Sequence, residues 1–170
     1  MKITQFKEIP KFIGCGNYHV NIGWTYIERW LASVPEADLD PDFQRGHVWT
    51  KDKQVKYVEF ILRGGTSSRD IYWNHPGWMT HFKGEMVLVD GKQRMEAVRA
   101  FLRDEIEAFG SKYSEYTDRI QPLSTDFVFH INNLKTRAEV LQWYLDLNSG
   151  GVVHTEEELN RVRDLLAKEQ

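Results

Sequence analysis

Residues 85–98, EMVLVDGKQRMEAV, change their hydrophobic rhythm within two positions. Met86 to Val89 is an unbroken apolar run, the pattern of a strand buried on both faces. After Asp90-Gly91 the apolar residues Met95, Val98, Phe101 and Leu102 share one helical face. A buried strand must therefore feed a helix of about residues 91 to 104 through an Asp-Gly corner. A chain built around that unit needs other strands to pair with and helices to cover them.

The corner poses an electrostatic question. Lys92 and Arg94 fall in the first turn of the helix, where the backbone already presents positive partial charge, and each surface cation there costs roughly 0.3 to 1 kcal/mol. Asp90 is a good N-cap, and Gln93 three residues later completes a capping-box spacing. Capping thus accounts for those two residues without a ligand, but not for the cations, which need something anionic. Free N–H groups at a helix start, a glycine that permits close approach and an Arg fork beside it make a phosphate site. A second Gln-Arg pair, Gln44-Arg45 in FQRGHVW (43–49), also precedes a helix start. Taken alone it reads as a polar turn with Phe43, Val48 and Trp49 anchored in the core. The two pairs together point to one shared anion.

The rest of the chain supplies the remaining elements. Ile22, Trp24, Ile27, Trp30, Leu31 and Val34 lie near helical spacing, and Pro35 with the acid-rich PEADLDPDF ends that helix. Thr50 caps a helix carrying Val55, Val58, Ile61 and Leu62 on one face, with Gly64-Gly65 as its stop. DIYWN (70–74), EMVLVD (85–90) and DFVFHI (126–131) read as strands, and HPGWMTHFKGE between the first two as a loop or hairpin arm. GSKYSEYTDRIQPLST reads as surface loop. Val140, Leu141, Tyr144 and Leu145 mark another helix, broken by LNSGG. Thr155 to Glu158 form a capping box before a last helix carrying Leu159, Val162, Leu165 and Leu166. The class is α+β.

Composition narrows the function classes. At 170 residues and 41% hydrophobic content, with no repeat or linker, the expectation is a single domain spanning 1–170. A net charge of −3 excludes nucleic-acid binding by overall positive charge, so any such contact must be local. The single Cys15 rules out an internal disulfide framework or a multi-cysteine zinc site and suits a reducing compartment. The six histidines, at 19, 47, 75, 81, 130 and 154, show no metal-ligand spacing. Without an 18-residue apolar run or a signal-peptide pattern, the expectation is a cytoplasmic protein with no membrane partner.

DPDFQRGHVWTKDKQVKYVEFILRGG, then LVDGKQRMEAVRAFL and DLNSGGVVHTEEEL, together resemble the N-terminal domain family of GmrSD-type restriction systems, a member of the ParB/sulfiredoxin-like fold group. The matching residues are Phe43, Gln44, Arg45 and Trp49, then Asp90, Gly91, Gln93 and Arg94, and the resemblance spans about residues 20 to 160. It implies a small mixed sheet flanked by several helices, a nucleotide or polyphosphate at the Asp-Gly-x-Gln-Arg corner and, in several relatives, NTP hydrolysis coupled to attack on modified phage DNA. ParB-like members bind CTP, and sulfiredoxin-like and kinase members handle phosphoryl groups at the same corner. This chain has Lys92 where the family has Gln, which either strengthens phosphate binding or marks a changed substrate. No HNH nuclease module fits after residue 154, so a nuclease is expected as a separate partner.

The function implied is a nucleotide-binding phosphohydrolase or phosphotransferase linked to phage DNA, DNA modification or restriction. Arg94, Arg45 and Lys92 would grip phosphates, with the N–H groups after Gly91 completing the cradle. Asp90 would hold a magnesium ion or orient the attacking water or hydroxyl, and Gln44 and Gln93 would act at the scissile group. The resemblance adds Asn148 to the pocket. Trp78, with His75 and Lys83, is a candidate nucleic-acid contact through base stacking. The alternatives are a non-catalytic, nucleotide-gated DNA-binding module and a DNA-modifying enzyme or nuclease using the same pocket. The loop PEADLD also leaves a DNA-mimic role open.

Overall fold

The computed structural model describes residues 2–10, 18–44, 49–120, 125–148 and 156–169. Its centre is a four-stranded mixed sheet of β1 (Tyr18–Gly23), β2 (Asp70–Asn74), β3 (Val87–Asp90) and β4 (Asp126–Asn132), in the order β1-β4-β2-β3. β4 pairs antiparallel with β1 and parallel with β2, and β3 closes the other side antiparallel to β2. Five α-helices occur among the described residues: α1 (Ile27–Ser33), α2 (Lys51–Leu62), α3 (Lys92–Leu102), α4 (Arg137–Asn148) and α5 (Glu156–Lys168). The α+β class and the mixed sheet expected from the sequence are both present.

Alternation along the strands divides the interior into two layers. Ile71 and Trp73 of β2, Leu88 of β3 and Phe127, Phe129 and Ile131 of β4 join one cluster with Tyr57, Val58 and Ile61 of α2 and Met95, Val98 and Phe101 of α3. Tyr72, Val87 and Val89 belong to the opposite cluster, with Val140, Leu141 and Trp143 of α4 and Leu159 and Val162 of α5. That second layer covers only part of its face. Toward β1, His19 and Asn21 are exposed, and His130 and Asp70 are half-buried.

The segment ending in Ser33 begins differently from the sequence reading. Ile22 belongs to β1, paired with Phe127, and a 3-10 turn at Trp24–Tyr26 precedes α1. Trp24 and Ile27 are buried from the turn and the helix, so a strand followed by a tight turn imitates helical spacing.

The acid-rich loop covers the outer edge of β3. Asp38 N–H donates to Met86 O (2.7 Å) and Leu88 N–H to Asp38 O (2.9 Å), forming a short parallel bridge on an edge that would otherwise present free backbone groups. Two of the loop's four acids tie it to helices: Asp40 accepts from Lys92, and Asp42 accepts from Arg137 at 2.7 and 2.8 Å. No helix among the described residues is long and apolar enough to cross a membrane.

Candidate functional site

The corner after β3 is shaped by a bulge and a glycine. Trp73 pairs with Leu88 and Tyr72 with Asp90, so β3 carries Val89 as an extra residue and Asp90 returns to the face of Tyr72. Gly91 then takes φ +105°, and a Cβ there would lie 2.5 Å from Ile71 Cδ1 and 3.2 Å from Ile71 Cα. Only glycine meets both demands, the left-handed backbone and the close approach to β2.

Gly91 itself is the N-cap of α3, with no side-chain cap bond, so Asp90 and Gln93 do not form the capping box that their spacing suggests. The Asp90 carboxylate instead accepts from Arg94 Nη2 at 2.7 Å. Gln93 Oε1 accepts from the Trp49 backbone N–H at 3.0 Å. Both cations of the first turn thus have partners within the chain, Asp90 for Arg94 and Asp40 for Lys92. Lys92 lines a separate cavity with Asp40, Lys51, Gln54 and Glu96.

Arg94 is the less satisfied of the two. Its Nε is buried with no hydrogen-bond partner, an arrangement that leaves a charged donor in need of an acceptor. Its charge reaches the hydroxyls of Tyr57 and Tyr72. Burial pushes the Tyr57 hydroxyl up, with Arg94 and Arg69 opposing that shift. Burial and the carboxylates of Asp70 and Asp90 push the Tyr72 hydroxyl up, with Arg94 opposing. Arg94, Asp90, Asp70 and the two tyrosines therefore form one electrostatic group.

The two Gln-containing segments do meet at this corner. Gln44 is buried and its Nε2 donates to Leu88 O on β3, while Trp49 is fixed to Gln93 on α3. Both glutamines thereby hold the corner together. Arg45 lies outside the described residues.

The other candidates are placed as follows. Asn148 Nδ2 donates back to Tyr144 O within α4. Trp78 is half-buried, with its indole packed against Tyr18, His75 and Phe82, which is a core-like setting for a residue considered for base stacking. His75 is buried, and its Nδ1 accepts from Gly77 N–H at 3.1 Å. Lys83 is exposed on the loop that follows.

Asp90 supplies one carboxylate, already committed to Arg94, and the described residues contain no group of three His, Cys, Asp or Glu side chains able to hold a metal.

Sequence reasoning missed the residues beside the corner. Asp70 and Tyr72 of β2 and His130 of β4 share the open face, with Asp70 Oδ1 at 2.6 Å from His130 Nε2 and the Tyr72 ring stacked on the imidazole. The polar members of otherwise apolar strands, in DIYWN and DFVFHI, were the available signal. No family model, no curated protein and no solved structure matches this chain.

Proposed function

We propose that this chain is a nucleotide-binding phosphohydrolase or phosphotransferase of the ParB/sulfiredoxin-like group, linked to phage DNA, DNA modification or restriction. The observation that carries this reading is the state of Arg94. The guanidinium is oriented by Asp90 through Nη2, yet its buried Nε lacks an acceptor. The Arg94 side chain is 21% exposed, and a phosphoryl oxygen would bind at that accessible part of the guanidinium, next to the glycine-formed N-terminus of α3, where backbone N–H groups add to the attraction. The resemblance of the Gln-Arg and Asp-Gly-x-Gln-Arg elements to GmrSD-type domains supports the same assignment.

In this reading Arg94 binds and neutralises the phosphoryl group, Asp90 is its positioning residue, and Gln44 and Gln93 keep β3, α3 and the segment before α2 in register. Phosphoryl transfer depends chiefly on such positioning and charge neutralisation. Magnesium would arrive with the nucleotide as its counterion, and DNA, including modified DNA, is a proposed effector or acceptor.

The test is phosphate release from a panel of NTPs and dNTPs with magnesium, with and without duplex DNA. Arg94→Ala is expected to lower kcat/KM by about 100-fold or more, the usual effect of removing a charge-stabilising donor. Saturable nucleotide binding without release from wild type would replace the enzyme with a nucleotide-gated binding module. Undiminished turnover in folded Arg94→Ala would remove the corner from the chemistry.

A further inference from the structure

We propose that the segment between α3 and β4 builds an aromatic cage for an organic ammonium ion, a methylated or quaternary amine. The cage lies beside Phe101, about two helical turns along α3 from Arg94, so it is a second site at the other end of that helix and draws nothing from the nucleotide reading.

Residues 103–120 contain one short 3-10 turn, Tyr113–Glu115, as their only helix or strand, and a connection of that length without regular structure is uncommon in a compact domain. Here it is folded by its own bonds. Ala108 and Ser111 exchange backbone hydrogen bonds at 2.9 and 3.1 Å, Asp104 accepts from Ser114 N–H at 2.9 Å, and the Tyr116 hydroxyl donates to Ala108 O at 2.6 Å. Glu59 of α2 accepts from Phe109 N–H at 2.8 Å and ties the hairpin tip to the helix. Phe109 is 49% exposed and takes φ +52°, a left-handed conformation that favours glycine or asparagine. Neither burial nor backbone preference calls for phenylalanine there; the cavity it lines does.

That cavity, of about 280 Å³, has Phe101, Phe109, Tyr113 and Tyr116 among its walls, with Asp118 beside them. Phe101 is buried, and Tyr113 and Tyr116 meet it edge-on, at 5.7 Å and 72° and at 6.1 Å and 79°, so two rings stand off a third as sides from a floor. The volume falls short of the roughly 300 Å³ at which pockets for drug-sized ligands begin, which limits the occupant to a single head group.

Charge selects among the head groups that aromatic walls accept. Residues 104–118 carry Asp104, Glu105, Glu107, Glu115 and Asp118 against Lys112 alone. Burial pushes the Tyr116 hydroxyl up, and the carboxylates of Glu59 and Asp118 add to that shift. Leu62, also in the lining, is the last residue of α2, and Phe101 lies in the last turn of α3, the ends at which helix dipoles favour cations. These surroundings repel a phosphate and attract a cation, and ring faces bind alkylated ammonium ions. Phe109 already has a cation against it, the Arg63 guanidinium at 5.2 Å from its centroid. Arg119 also belongs to the lining but is exposed, where a long side chain keeps its charge in water.

The test titrates the full chain by NMR with tetramethylammonium, choline and a short peptide carrying Nε-trimethyllysine. The control is the neutral alcohol in which carbon replaces the choline nitrogen. Choline is expected to bind saturably and about 10-fold or more tighter than that isostere, the margin of a desolvated cation–π site. Tyr113→Leu, which keeps apolar bulk and removes a ring, should weaken choline by about 10-fold, while Tyr113→Phe should stay within about 2-fold of wild type. Asp118→Asn should weaken choline and leave the isostere unchanged. Tighter binding of the peptide than of choline supports the cage with a modified partner chain as the source of the ammonium, and the reverse order supports it with a free small molecule. Equal affinity for choline and its isostere overturns the proposal and leaves a plain apolar cavity. Undiminished choline affinity in folded Tyr113→Leu overturns it as well, and so does wild type that binds none of the ammonium probes. Should Tyr113→Leu fail to fold, the isostere comparison on wild type and the exposed Asp118→Asn decide the matter, and unchanged choline affinity in Asp118→Asn with no preference over the isostere overturns the cage.

Discussion

At the scale of single residues, His75 shows how burial and wiring fix a protonation state. Its Nδ1 accepts from the Gly77 N–H, a bond that protonation of that nitrogen would break. Burial lowers its pKa from the ordinary 6.5, with His81 and Lys135 adding to the effect against a backbone hydrogen bond that raises it. The folded state therefore prefers the neutral ring. Its contribution to stability is complete above the unfolded value of 6.5 and is lost as pH falls through the lowered folded value. The melting temperature should thus decline on acidification from about 6.5. His75→Asn, which keeps an acceptor near the Nδ1 position, should flatten that part of the profile. An unchanged slope in the variant would assign the decline to other groups.

At the scale of elements, the β1–β4–β2 region is pinned at one end by charge. Asp126 of β4 accepts from Arg69 Nη1 at 2.9 Å and from Asn21 Nδ2 of β1 at 2.7 Å. The side chains of Arg69 and Asp126 are only 13% and 9% exposed. Removing one member of such a buried pair leaves the other charge uncompensated, so Asp126→Ala should cost about 3 to 5 kcal/mol in urea denaturation. A loss of about 1 kcal/mol or less would be that of an exposed pair and would contradict the burial. The same elements show which features the sequence makes readable. β2, β3, β4, α2 and α3 follow from period and punctuation: Thr50 Oγ1 does cap α2, accepting from Lys53 N–H, and Gly64 follows its end with φ +89°. β1 does not, because it is an edge strand with an exposed polar side, and Ile22, Trp24 and Ile27 run through a strand, a turn and a helix start while imitating one amphipathic stripe. The corner was legible because its residues are consecutive. The Asp70–His130 pair was not, because 60 positions separate residues that only the parallel pairing of β2 and β4 brings together.

At the scale of the molecule, the two edges of the sheet differ, and that difference can be measured. β4 and β2 are interior strands, paired on both sides. β3 is an edge strand whose outer side is bridged by Asp38 through Met86 and Leu88, and the loop carrying that bridge is tied to α3 by Asp40 and to α4 by Asp42. β1 has β4 on one side, while His19 and Asn21 stand exposed on the open face. Local opening should cost least where few apolar contacts and partners must be broken together. Native-state hydrogen exchange is thus expected to rank the amides of β4 and β2 slowest, with Leu88 N–H of β3 close to them, and those of β1 fastest among the strands. The order bears on the candidate site because β1 carries His19 against the His130 ring, whereas β3 carries the Asp90 partner of Arg94. Comparable protection in β1 and β4 would mean that the sheet opens as one unit. The predicted order would place the Asp90–Arg94 corner, the proposed phosphate site, on the rigid edge and the His130 face beside the strand that opens most readily.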